Sequence, residues 1–441
     1  MTRLERNAGI LPRAIGMWGL TALVVNAIVG SAVFGLPAEY VRLVGHSSVL
    51  AVIVGGLSTA VIVACFAEVA SKIPEAGGSY IYARTVFGRF VGLQVGWFSW
   101  LVRLASTAAG ASLFVSYLGG LIPAIEYGIG RVAVLTFLLG GLTVANYIGV
   151  RSGAGLSSFF GIVKISLLLT LSAYGIWHSG AQLAMVDSQQ IVGPGLRNWF
   201  EAFLLLSFMY GGFETALLPL GEVKNPLRVV AWALGAGLAM SIAIYSLIQV
   251  AVLNTALAQY SSRPLSVLAS SLFGSIGGTI TDLSAMICIY GYLSASMLGT
   301  PRLIYALAET GDFPAILARI HPRFATPYLS IWLFGAGSWA IAATGSFRIA
   351  IALSVGARLV TYGVTCAALI PLRRRYPERK GYTVPLGPLL SLIGIVMTAA
   401  LVTRMHGRET AALTITSFVA VLNWIWIARK PNIRAQSAAG A

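Results

Sequence analysis

The chain reads as an all-α polytopic membrane protein of about twelve spanning helices, with one helix broken in each of two halves. Three observations predict this. Hydrophobic residues make up 57% of the 441 positions and charged residues only 10%, against roughly 25% charged in soluble domains. Apolar runs of the ~20 residues needed to cross a bilayer recur along the whole chain. In the first run the small residues Gly30-Ser31-Ala32 precede Gly35 and Pro37, and in the sixth Gly211-Gly212 precede Pro219.

The first run, about 14–36, follows Arg3 and Arg6 as a secretory leader would, but it exceeds the roughly 7–15 residues of a leader core. Further runs fall near 48–70, 90–120, 131–149 and 156–177, then 198–219, 229–253, 277–305, 328–345 and 349–371, and finally 385–404 and 410–428. The polar stretches 177–198 and 255–275 between them have room for a short surface helix. Trp177 and Trp199 flank the first of these as interfacial anchors do. With the N-terminus inside, lysines and arginines favour the cytoplasmic side by about three to one, the densest group being Arg373-Arg374-Arg375, Arg379 and Lys380. Both termini are then cytoplasmic, in a cell inner membrane.

Several function classes fall away. The formal charge of +16 resides in short loops rather than on a soluble face, so no nucleic acid partner is expected. No P-loop motif occurs, which argues against ATP-driven transport. Cys65, Cys288 and Cys366 lie in apolar runs, and His46, His178, His321 and His406 are scattered. Neither a metal nor another cofactor is expected, and no carboxylate or histidine cluster points to an enzyme.

The breaks carry the candidate chemistry. In hydrocarbon an unpaired backbone group costs several kcal/mol, so a broken helix persists only where it is packed or lines a wet cavity. A half-helix starting after a break offers N–H groups to a carboxylate, and one ending before it offers carbonyls to an ammonium. In the first segment the donors are the amides of Ser31, Ala32 and Val33 next to Gly30, with the Ser31 hydroxyl, and the acceptor is the carbonyl near Ile28. In the sixth the carbonyls of Phe208, Met209 and Gly211 suit an ammonium, while Phe208, Tyr210 and Phe213 offer aromatic cover. A lysine in mid-membrane costs roughly 2.5–3.5 kcal/mol on insertion scales, so Lys164 is expected to face protein or water, either as a proton site or as a fixed tether. Glu68 and Glu214 read as braces for helix ends or gates. Arg103 and Arg358 lie inside spans three and ten, where each can pair with an acid or snorkel.

Ordered motifs from about residue 12 to 375 are similar to those of the amino acid-polyamine-organocation superfamily. Gly30-Ser31-Ala32-Val33-Phe34 resembles its G-[ST]-G-[IV]-F, and Pro74 to Tyr82 its P-x-x-G-G-x-Y-x-Y. Gly212-Phe213-Glu214, Glu222-Val223-Lys224-Asn225-Pro226 and Arg302 to Pro314 follow in family order. The resemblance implies a LeuT-type fold. Residues 1–13 form a tail, 14–371 a core of two inverted five-span repeats (about 14–177 and 198–371), 385–428 two peripheral spans and 429–441 a second tail. It further implies that Lys164 stands where sodium-coupled relatives hold a cation, its ammonium on carbonyls near Gly30 and polar groups around Ser294 and Ser296. Ala32 departs from the family glycine, which narrows the approach to the amides.

The expectation is a sodium-independent, secondary-active permease for neutral L-amino acids, working by alternating access through proton symport or exchange. Its partners are the small solute and the bilayer, and homo-oligomerisation is left open. A cationic amino acid or polyamine antiporter is the alternative within the superfamily, and a channel is the alternative outside it.

Overall fold

The computed structural model describes residues 15–75, 77–149, 154–178, 195–218, 220–255, 258, 261–405 and 407–428. Both expected tails, most of the 177–198 loop, Arg151, Pro219 and His406 lie outside the described residues.

Helix α1 (Met17–Ile28) ends where the small residues begin. The Gly30 amide turns back onto the Ile28 carbonyl at 2.7 Å, and helix resumes as α2 (Ala32–Gly35) and α3 (Pro37–Val44). The break is therefore Val29–Ser31. Pro37 lies beyond that break and marks a second, smaller interruption: α2 ends at Gly35, and after Leu36 Pro37 is the first residue of α3, where an N–H has no intrahelical partner to lose.

Helices α4 (Ser48–Lys72), α5 (Ser79–Phe87), α6 (Arg89–Leu121), α7 (Gly128–Ile148) and α8 (Ala154–His178) follow. The P-x-x-G-G-x-Y-x-Y stretch, Pro74 to Tyr82, runs into helix at Ser79, since α5 is a two-turn element bounded by Gly78 and Gly88. Helix α9 (Leu196–Met209) stops at the second break, Tyr210–Gly212, before α10 (Phe213–Ala216). Gly212 has φ 108°, and a Cβ added there would come 2.4 Å from the Ala27 carbonyl oxygen. Only glycine allows both that backbone and that approach.

Helix α11 (Pro226–Leu253) precedes α12 (Pro264–Glu309), which is two helices joined at Gly274. Its first ten residues form a short helix in the loop where a surface helix was expected, but Leu265, Leu268 and Ala269 on it are buried. Helices α13 (Tyr328–Thr344), α14 (Phe347–Arg375), α15 (Gly387–Val402) and α16 (Arg408–Ala428) complete the chain. Taking each broken helix as one and setting α5 aside, the described residues form twelve helical rods; eight stretches among them are long and apolar enough to cross a membrane, and Val163–Trp177, Tyr328–Thr344 and Gly387–Val402 are shorter apolar helices. One strand-like contact accompanies them: Ile15 donates to the Glu222 carbonyl at 3.0 Å and accepts from Lys224 N–H at 2.8 Å.

The broken helices run through the centre, α1 against α10 and α11, and α9 against α4 and α14. Helices α15 and α16 lie outside, with half of α16 exposed and only Ala420 and Asn423 of its described side chains buried. At the end expected to be cytoplasmic, the fully buried Asp312 carboxylate accepts from Arg84 at 2.8 Å, Arg89 at 2.6 Å and the Tyr80 hydroxyl. Beside it, fully buried Glu68 accepts two bonds from Arg373 at 2.6 and 2.7 Å and one from Lys72 at 3.0 Å. At the opposite end Arg263 pairs with Asp282 at 2.8 Å.

Candidate functional site

A cavity of about 360 Å³ lies between the two breaks. Asn26, Ile28, Gly30, Ser31 and Ala32 form one wall; Phe208, Gly211, Gly212 and Glu214 form another. Arg103 of α6, Lys164 of α8, Tyr292 and Ser296 of α12 and Arg358 of α14 close it. It extends to Gly78, Tyr80 and Leu307 at the Asp312 end and stops at Phe34 on the other. There the Tyr117 hydroxyl holds the Phe34 carbonyl at 2.7 Å.

The backbone at the breaks is only partly free. Among the described residues the amides of Ser31, Ala32 and Val33 meet no acceptor, and the carbonyls of Ala27 and Gly211 meet no donor. Three carbonyls proposed from sequence as ammonium partners are already engaged. Ile28 O accepts from Gly30 N–H and from the Tyr245 hydroxyl, both at 2.7 Å. Met209 O faces the same hydroxyl at 3.1 Å, and Phe208 O accepts from Arg358 Nη1 at 3.2 Å.

The structure divides the side chains expected at the site. Ile28, Gly30, Ser31, Ala32, Phe208, Gly211, Lys164, Ser296 and Glu214 line the cavity; Val33, Met209, Tyr210, Phe213, Ser294 and Glu68 do not. The aromatic cover reduces to Phe208, because the other two rings have partners elsewhere. Tyr210 donates to the Val52 carbonyl at 2.9 Å, and Phe213 packs edge-on against Phe66. Lys164 reaches neither Gly30 nor the α12 serines: its ammonium sits on Asn26, 2.8 Å from Oδ1 and 3.2 Å from the carbonyl. Ser296 instead shares a 2.7 Å hydrogen bond with Thr107. Glu214 accepts from Gly212 N–H at 2.8 Å and the Tyr362 hydroxyl at 2.7 Å, and its other oxygen lies 3.3 Å from Arg358 Nε.

Sequence reasoning passed over Asn26, Tyr245 and the placement of Arg358. The first had a signal, a polar amide inside an apolar run four residues before Gly30. Arg358 is 5% exposed, its guanidinium 5.6 Å above the Phe208 ring and packed against Gly211, where a Cβ would lie 1.7 Å from Nη1.

Two broken helices around one cavity are what the family motifs imply, and the comparison with known sequences decides the matter. The sequence profile described as amino acid permease matches residues 15–426. The chain belongs to the amino acid permease family. This permease is 28% identical over 412 residues to the serine/threonine exchanger SteT of Bacillus subtilis (strain 168), covering 87% of this chain and 89% of that one. It is 24% identical to the branched-chain amino acid permease BcaP of the same organism, covering 90% and 88%. The methylthioribose transporter of that organism is 25% identical, covering 96% and 95%. Among solved structures, the inward-facing conformation of Mhp1 superposes with a TM-score of 0.59 at 13% identity, covering 96% of this chain and 94% of that one. The permease thus has the LeuT-type fold.

Proposed function

We propose that this permease is a secondary-active amino acid transporter that holds its solute by the main-chain charges. One observation carries the reading: unpaired amides at Ser31 and Ala32 share a cavity with the unpaired carbonyls of Ala27 and Gly211. The substrate carboxylate takes the amides and its ammonium the carbonyls, each group replacing the water that a hydrocarbon setting would otherwise deny them. The relatives include a serine/threonine exchanger and a branched-chain amino acid permease, which agrees with a shared main-chain site and differing side-chain pockets.

Transport is sodium-independent in this reading, because the Lys164 ammonium already occupies the Asn26 end of α1. Either proton symport or exchange fits that arrangement. The excess of arginine and lysine at the Asp312 end supports an inner-membrane protein with both termini cytoplasmic. Cationic amino acids and polyamines fit less well, since three cationic side chains already line the cavity.

Uptake by the purified protein in liposomes tests the proposal. Saturable flux that internal substrate accelerates is expected. Flux that rises linearly with concentration and shows no counterflow identifies a channel and overturns the proposal.

A further inference from the structure

Arg103, Lys164 and Arg358 line the cavity against a single carboxylate, Glu214. That carboxylate is spent. One oxygen accepts from Gly212 N–H and Tyr362, and the other faces Arg358. Lys164 is held by Asn26, and Arg358 by Phe208 O and Glu214. Arg103 differs: its Nε, like that of Arg358, is buried without a hydrogen-bond partner, but among the described residues Arg103 has no carboxylate within ion-pair distance. Ser99 and Ser106, a turn to either side of it on α6, and Tyr292 on α12 share its stretch of the lining.

A guanidinium at this depth is costly unless something pairs with it. Among the described residues Glu214 acts on Arg103 only from beyond ion-pair distance, which leaves the place beside the guanidinium to the solute. A neutral amino acid brings one charge of each sign, both used at the breaks, and leaves Arg103 as it was. A cationic side chain adds a fourth positive charge. A side-chain carboxylate meets the planar fork of Arg103 and lowers the surplus.

We infer that the cavity is selective for an acidic amino acid, whose side-chain carboxylate is received by Arg103. This replaces the neutral side chain expected from sequence, and it rests on the main-chain site proposed above. Arg103 is the specificity-determining residue.

The test is ligand-induced thermal stabilisation of the purified full chain with L-glutamate, L-aspartate, L-serine, L-leucine, L-arginine and succinate, followed by uptake of whichever solute protects. Glutamate or aspartate is expected to stabilise. Arg103→Gln weakens that binding roughly ten- to a hundredfold, with Arg103→Lys in between. Stabilisation by serine or leucine without the acidic pair overturns this inference and leaves the transporter reading standing. Succinate acting as well as glutamate overturns the amino acid assignment in favour of a simple dicarboxylate. Failure of every amino acid overturns the proposed function itself. Unchanged glutamate affinity in Arg103→Gln removes Arg103 from the site, and the wild-type screen does not depend on that variant folding.

Discussion

The Tyr245 hydroxyl lies 2.7 Å from the carbonyl oxygen of Ile28, the last residue of α1, and also faces Met209 O at the end of α9. A single phenol on the unbroken helix α11 thus touches both half-helix ends, which no backbone bond joins. Its proton can satisfy one carbonyl at a time, so the pair shares a donor across the gap.

Tyr245→Phe removes that donor inside a fully buried setting. The expected loss is about 1 kcal/mol of stability, with a severalfold fall in transport as the two ends lose their common anchor. Thermal unfolding and liposome uptake measure the two effects. Unchanged values in both assign Tyr245 to packing alone.

The glycines of the breaks are predicted to differ. Gly212→Ala forces a Cβ onto a left-handed backbone and against Ala27 O, costing on the order of 1–3 kcal/mol or more. Gly211→Ala meets the far end of the Arg358 side chain, which can yield. The fold is retained, but the guanidinium leaves Phe208 and Glu214 and uptake is lost. Gly30→Ala finds nothing closer than 3.8 Å and keeps both. Purification yield, melting temperature and uptake of the three variants separate these outcomes.

Ala32→Gly removes a methyl from the cavity wall while leaving the amide donor in place. Transport is expected to persist and to accept a wider range of side chains, read as competition by unlabelled amino acids. Loss of binding contradicts the role given to this amide.

Lys164→Ala deletes the ammonium that joins α8 to Asn26. Uptake is expected to fall severalfold and to lose its response to external pH, while replacing sodium with choline leaves the unmodified protein unaffected. A variant with normal uptake and an unaltered pH profile excludes Lys164 from coupling.

Local chemistry explains what was legible in the sequence. Gly30-Ser31 and Gly211-Gly212 announced the breaks because small side chains and a positive φ are properties of single positions. Pro37 marks only the lesser interruption at Leu36 and not the main break, because proline disrupts a helix interior but suits a first turn, and which one applies depends on where helix resumes. The engagement of Ile28 O, Phe208 O and Met209 O was not legible. Their side-chain donors, on Tyr245 and Arg358, lie from 36 to 217 residues away along the chain. Tyr210 and Phe213 flank the second break in sequence yet turn to Val52 and Phe66, because a break re-aims the side chains around it in ways that spacing does not encode.

A structure of the permease with its amino acid bound tests the central claim most directly. The claim predicts a carboxylate oxygen about 3 Å from the amides of Ser31 and Ala32 and an ammonium at the Ala27 and Gly211 carbonyls. Solute density elsewhere, or unbroken helix through Ser31 or Gly211, contradicts it.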